Sequence, residues 1–418
     1  MFYYYFGLVC YNNSMFDLSS PTVYIPTIFV ALVAIFASIF YKDAKKIVKK
    51  NTKDLPYYTE ISLSMGYIDR NILENGRFKY RNNVNPEIKY DNDQYNSLRH
   101  AGVLYSMYLY EILGLEKKYH DARLKASKYF VENYIKKIDD TRYAVISNPK
   151  EEELNINIAK SGASGIALCA LANLYKEQEI ELDVIQGLGE FILSLQNEEG
   201  NIYAYYDLDK KEINKEAEAI YYPAEAAAGL MYLYEVDPQQ KWLEAIKKTI
   251  LYLVKTRKKM DLDIPFDHWS VLTIEKLFKA NLVTPSEKNT MRAYAEQMAI
   301  PMLSNQITNK NNSYFGAFKD NVRLCSLGTI MEGMASIYFC TDSEDLKKIL
   351  FKSMSIGNYF LSKTQVKTGI FAGGLPNSAN WVKPGVTPNA SVIRIDNVQH
   401  VASGWLKFQK ILDITGLY

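Results

Sequence analysis

The stretch SGASGIALCALANLY (161–175) is apolar on every face and rich in small residues. A helix with no polar face has to be surrounded by other elements. Five more segments share its character: LRHAGVLYSMYLYEIL (98–113), PAEAAAGLMYLYE (223–235), DHWSVLTIEKLF (267–278), SLGTIMEGMASIYF (326–339) and NVQHVASGWLKFQKIL (397–412). Gly102, Gly165, Gly229, Gly328 and Gly404 would let five of the six approach their neighbours closely. The segment at 267–278 has no glycine and fits least well.

Amphipathic, lysine-rich stretches lie between the buried ones. In 239–257, Trp242, Ile246, Ile250, Leu253 and Val254 share one helical face, and Lys241, Glu244, Lys247 and Lys248 occupy the other. Similar stretches run near 118–137, 182–195, 285–304 and 343–362, and a sixth is required near 56–66. Buried and amphipathic helices in alternation predict an all-α domain over 56–418, an (α/α)6 toroid with an inner and an outer ring. Short runs of glycine and aromatics, NGRFKY (75–80), EGNIYAYY (199–206), YFGAF (314–318) and GIFAGG (369–374), read as strands or hairpins in the loops that feed inner helices. The long loops 140–158, 199–221, 306–323 and 364–395 fall on one end, which makes a funnel with one elaborated mouth.

The 418 residues carry 49 Lys and Arg against 47 Asp and Glu, a formal net charge of +2 that argues against a nucleic-acid partner. With 48% apolar residues and 13 prolines the chain is neither disordered nor a multi-span membrane protein. One stretch does read as a membrane span. VYIPTIFVALVAIFASIFY (23–41) has no charge, and as a helix it would rise about 28 Å, close to one hydrocarbon core. A short extension (1–22) precedes it and a basic linker (42–55), with Lys42, Lys45, Lys46, Lys49 and Lys50, follows. That asymmetry predicts a single-pass membrane protein with its body in the cytoplasm. Cys10, Cys169, Cys325 and Cys340 form no CxxC pair and read as reduced thiols. No compact ligand motif asks for a metal, and no cofactor is implied.

The alternation of helices and the style of the loops over 60–415 resemble the six-hairpin glycosidase superfamily, whose (α/α)6 toroids serve polysaccharide hydrolases, lyases and sugar epimerases. The resemblance implies a funnel at the N-terminal ends of the inner helices, lined by carboxylates, histidines and aromatics. It carries no diagnostic catalytic motif, so no residue transfers by it.

The polar residues at those helix ends are therefore read one by one. Arg99 and His100 open an otherwise apolar helix, where an unpaired charge is expensive; they pin helices together or bind substrate. Glu225 follows Pro223 in a first turn, where the helix dipole favours a carboxylate, and could equally be an acid at the funnel floor. Asp267, His268 and Trp269 combine a helix cap or carboxylate with an imidazole and an indole. Glu332 is a buried glutamate for which Arg99 or Arg323 could be partner. Asp396 and His400, four residues apart, share a helical face, although Asp396 with Gln399 also resembles a capping box. Asp396 and Glu225 are the expected acid/base pair, with Asp267 and His400 as further catalytic candidates. Arg99, His100, Tyr222, His268, Trp269, Glu332 and Trp381 are expected to bind substrate. A membrane-anchored glycoside hydrolase acting on a polysaccharide or envelope glycan is the leading expectation. A sugar epimerase using His268 and His400 and a non-catalytic glycan-binding toroid are the alternatives.

Overall fold

The computed structural model describes residues 56–416 except 91–93, 114–116, 319–321 and 383–386. The apolar run 23–41 and the lysines after it lie outside the described residues. Among the described residues no helix is long and apolar enough to cross a membrane.

Among the described residues twelve long helices alternate between two rings. They are α1 (Pro56–Arg70), α2 (Ser97–Ile112), α3 (His120–Tyr134), α4 (Ser161–Lys176), α5 (Leu182–Ser194), α6 (Tyr222–Val236), α7 (Gln240–Arg257), α8 (His268–Lys279), α9 (Pro285–Asn305), α10 (Leu324–Cys340), α11 (Glu344–Thr364) and α12 (Ile395–Thr415). The even-numbered helices are the six buried segments. Each packs on the next, and α12 packs back on α2, which closes the inner ring. Odd-numbered helices form the outer ring. Thus α1 packs on α12, α3 on α2, α5 on α4, α7 on α6 and α11 on α10. The stretch near 56–66 supplies the sixth outer helix, as its place in the alternation requires.

The inner ring is tightest at α4 and α6. A Cβ added at Gly229 would lie 2.5 Å from the Gly165 Cα, and one at Gly165 would lie 2.6 Å from the Ala226 Cα. These two backbones touch because neither side chain exists there.

Turns from inner to outer helices are short, whereas most outer-to-inner loops are long and gather at the N-terminal ends of the inner helices. Short strands tie these loops together: β1 (Arg81–Asn83), β2 (Ile135–Lys137), β3 (Tyr143–Val145), β4 (Ile158–Lys160), β5 (Tyr205–Asp207), β6 (Glu212–Asn214) and β7 (Val392–Arg394). β1 pairs antiparallel with β7, so the first loop is bonded to the last and the mouth is closed like the ring beneath it. β2 pairs with β3, and β4, β5 and β6 form a three-stranded sheet.

One of the four glycine-and-aromatic runs enters a named strand, since Tyr205 and Tyr206 of 199–206 belong to β5. Three make single bridges, Ile72 with Phe78, Gln196 with Ile202 and Gln306 with Phe318, while 369–374 is a series of turns. Their shared feature is a left-handed glycine, Gly76, Gly200, Gly316 and Gly373, at φ of +94°, +105°, +97° and +90°. Each sits against a backbone carbonyl of an outer helix, at Lys125, Lys248, Ile356 and Leu63 respectively. A glutamine just past the helix repeats the docking: the Nε2 groups of Gln196, Gln306 and Gln365 donate to the carbonyls of Ala245, Ser353 and Glu60. The runs are clamps between outer helices, and the Gln365 and Gly373 pair clamps α11 to α1.

Candidate functional site

Three consecutive inner helices bring an imidazole, a carboxylate and a second imidazole together. His268 is the first residue of α8, Glu332 lies in the third turn of α10, and His400 lies in the second turn of α12. The His400 Nδ1 is 2.9 Å from the Glu332 Oε2, and the His268 Nε2 is 3.5 Å from the same oxygen. The two imidazole rings are 5.4 Å apart between centroids and perpendicular at 85°. Local sequence explains the closeness. On α10, a Cβ at Gly333 would meet the Phe266 ring at 2.5 Å and the His268 Cβ at 3.2 Å. On the same helix a Cβ at Gly328 would meet the Val401 nitrogen at 2.6 Å and the His400 Cβ at 3.0 Å. Glycines on both sides of Glu332 therefore admit the two histidine-bearing helices. The glycine that α8 lacks is carried by its neighbour.

Glu332 is 2% exposed, and its partners are these histidines in place of the arginines expected from sequence. Burial holds the His268 imidazole well below its ordinary pKa, with the neighbouring His400 and Lys407 adding to the effect. The shift favours the neutral imidazole, and its Nε2 has no hydrogen-bond partner. His400, with 15% of its side chain exposed, is the most open of the three.

A second set lies at the mouths of α4, α6 and α8. The Glu225 Oε2 is buried without a hydrogen-bond partner. Burial, with help from the charge of Asp267, pushes its carboxyl up to about 8. Helix α6 begins one residue earlier than expected, at Tyr222, so Glu225 is its fourth residue, at the end of the first turn. Asp267 has no exposed surface. It caps α8 by accepting from the Trp269 and Ser270 amides, and its Oδ2 lies 2.5 Å from the Arg257 guanidinium. Below pH 4.5 Glu225 is protonated whether folded or not; between 4.5 and 8 only the folded chain keeps the proton, so stability falls as pH rises through that window. Glu225→Gln is therefore expected to flatten the pH dependence. It should be more stable than wild type at pH 9 by on the order of a few kcal/mol, read from urea unfolding at pH 5, 7 and 9.

Asp396 is bound by arginines. Arg394 holds it with two bonds, 2.5 and 2.7 Å long, and the Arg99 Nε lies 3.0 Å away. Burial alone would raise its pKa, but Arg99 and Arg394 outweigh burial and hold the carboxyl below its usual value. Although Asp396 and His400 share a helical face, the His400 Nδ1 turns to Glu332. Beside Asp396 opens a cleft of about 650 Å³ lined by Cys325, Asn377, Asn380, Asn389, Arg394 and Asn397 among others. An asparagine-rich chain gives these asparagines no contrast as binding residues in the sequence.

The other expected site residues divide. Arg99 is partly exposed beside Asp396 and Tyr80, and Tyr222 lies half-buried at the α6 mouth against Tyr205. His100 faces the outer ring: its Nδ1 bonds the Tyr95 hydroxyl at 2.8 Å and its Nε2 the Ala126 carbonyl of α3 at 3.1 Å. Burial among Phe78, Tyr95 and Phe130 lowers its pKa to about 3. That imidazole locks α2 to α3 and does not face the funnel. Trp269 is 4% exposed and packs on Tyr105 and His268, so it is wall rather than stacking surface. Trp381 donates its indole N–H to the Thr364 carbonyl at the end of α11, which fixes the last long loop.

No family model and no curated protein matches the sequence. Solved structures do match the fold. A D-mannose isomerase superposes over 86% of this chain and 98% of its own, with a TM-score of 0.62 at 11% identity. A GH76 α-mannanase of Bacteroides thetaiotaomicron covers 88% and 99%, with a TM-score of 0.60 at 15% identity. The chain has an (α/α)6 toroid fold, as these structures do. A cellobiose 2-epimerase of Bacillus thermoamylovorans gives 0.57 over 88% and 98% at 14% identity. Within this toroid the imidazole pair, Glu225 and the arginine-bound Asp396 all lie toward the N-terminal ends of inner helices.

Proposed function

We propose that this toroid is a carbohydrate-active enzyme that moves a proton at the carbon next to the carbonyl of a reducing sugar, as a 2-epimerase or aldose–ketose isomerase. The observation that carries the reading is the pair of perpendicular imidazoles, His268 and His400, with Glu332 between them. A C–H beside a carbonyl is weakly acidic, and a neutral imidazole can accept its proton. In an open-chain aldose one imidazole takes the proton from C2, the electron pair of that bond forms the C1–C2 double bond, and the carbonyl pair moves to O1 to give an enediolate. Return of a proton to the opposite face of C2 from the N–H of the second imidazole gives the epimer; return to C1, with the O2 proton passing to O1, gives the ketose. Electrons and protons balance without an oxidant. The Glu332 carboxylate offsets the positive charge of whichever imidazole holds the proton. Structural neighbours described as an isomerase, an epimerase and a mannanase agree with a sugar substrate.

Glycoside hydrolysis is the second reading, and Glu225, protonated at neutral pH, favours it as a proton donor. It also needs a carboxylate that attacks or activates water. Asp267 is committed to its cap and Arg257, and Asp396 to two arginines, which ranks hydrolysis below proton transfer. The run 23–41 would tether the enzyme to a membrane, with the body on the side of the lysines. The test is the full chain incubated in D2O with glucose, mannose, cellobiose and manno-oligosaccharides and followed by proton NMR. Loss of the C2 proton signal with appearance of an epimer or ketose is expected. Cleavage of oligosaccharides without C2 exchange would overturn the reading in favour of the hydrolase.

A further inference from the structure

We propose that His268, Glu332 and His400 also form a binding site for one divalent transition-metal ion, Zn2+ in particular, and that occupancy silences the enzyme. The second half rests on the proton-transfer reading above; the first does not. One nitrogen from each histidine and one carboxylate oxygen lie within 4.8 Å of one another. Two of the separations, 2.9 and 3.5 Å, bracket the roughly 3.4 Å edge of a tetrahedral zinc site with bonds near 2.1 Å. Two imidazoles and one carboxylate are a donor set that zinc accepts, with the fourth position left for water.

The independent sign is the His268 Nε2. Its residue is 7% exposed, and that nitrogen has no hydrogen-bond partner although it points at the Glu332 carboxylate. A buried polar atom left unsatisfied calls for a partner, and a cation between His268 and Glu332 would satisfy it. Close packing of Gly328 against the α12 backbone and of Gly333 against the Phe266 ring and the His268 Cβ holds the three helices together before any ion arrives. Little rearrangement beyond side-chain torsions is then needed to close the site.

The metal and the reaction compete for the same lone pairs. A zinc ion on the His268 Nε2 and the His400 Nδ1 leaves neither nitrogen able to accept the C2 proton. One carboxylate neutralises only half of the ion's charge, and Lys407 also acts on Glu332 and His268. The site is thus weaker than a structural zinc site, which suits reversible control.

The experiment titrates Zn2+ into the full chain against a chromophoric chelator. Wild type is compared with His268→Ala, Glu332→Gln and the control Cys325→Ser, each checked for folding by circular dichroism. One ion per wild-type chain is expected. Both site variants should weaken binding by more than the roughly 10–100-fold that loss of a supporting group costs, and Cys325→Ser should bind as wild type does. Equal affinity in wild type and both site variants would overturn the site, as would loss of binding with Cys325→Ser alone. Glu332→Gln, nearly isosteric, keeps the test decisive if His268→Ala does not fold. In the C2-exchange assay, stoichiometric zinc should abolish activity and EDTA restore it. Full activity with zinc bound overturns the silencing. Inactivity of metal-free wild type would instead count against the proton-transfer reading and leave the affinity result standing.

Discussion

His268→Ala and His400→Ala are each expected to lower C2 exchange by roughly 10²–10⁴-fold, the usual worth of a positioned acid or base. The mechanism uses one imidazole on each side of the reacting carbon, so neither can replace the other in epimerisation. His100→Ala is the contrasting variant. It leaves the Tyr95 hydroxyl and the Ala126 carbonyl without their partner between α2 and α3. It should destabilise the fold by about 1–3 kcal/mol and, below the new melting point, leave exchange per folded molecule within a few-fold of wild type. Glu225→Gln and Asp396→Asn complete the comparison, because a hydrolase would lose cleavage with them and keep it in the histidine variants. Exchange rates by NMR, normalised to the folded fraction, read the whole series. Retention of exchange in both single histidine variants would remove the imidazole pair from the chemistry.

Gly229→Ala should be among the most damaging single-methyl additions in the molecule. Its Cβ would lie 2.5 Å from the Gly165 Cα and 2.7 Å from the Gly165 carbonyl carbon. Backbone cannot rotate aside, so α6 has to move away from α4 and open the tightest contact of the inner ring. Overpacking commonly costs 1–3 kcal/mol, and a clash with backbone falls at about 3 kcal/mol or above. Set against that, alanine gains about 1 kcal/mol of helix propensity over glycine. Gly102→Ala separates the two effects. Its Cβ would meet the Gln399 side chain at 2.9 Å, and a side chain can turn away. The net change there should be within about 1 kcal/mol of zero. Thermal or urea unfolding of both variants tests the contrast, and equal stabilities would show that the α4–α6 crossing is not as close as described.

Much of this protein was legible in the order of its residues. All-apolar segments such as 161–175 and 223–235 could only be inner helices, because burying every face of a helix demands neighbours all round. The lysine-faced stretch at 239–257 could only be an outer one. Their alternation determined the two rings and the end at which the long loops gather, and it located an outer helix near 56–66 from its place in the series alone, where the helix runs over Pro56–Arg70. The short strands were harder, because a single bridge leaves no periodicity, and the role of Gly76, Gly200, Gly316 and Gly373 depends on which carbonyl each one meets.

The candidate site was legible as a list of residues and not as an arrangement. Sequence put Asp396 and His400 on one helical face, but tertiary packing gave Asp396 to Arg394 and Arg99 and gave His400 to Glu332. Likewise His100 and His268 are both histidines near the start of an inner helix, and nothing local distinguishes them. One faces α3 and the other faces α10, and that direction follows from how each helix is rotated within the ring. Helical periodicity determined which residues are buried, since burial of a face depends on local order. Which buried polar group meets which was decided only by ring closure, because His268, Glu332 and His400 are separated by more than sixty residues along the chain and are joined only where α8, α10 and α12 pack side by side.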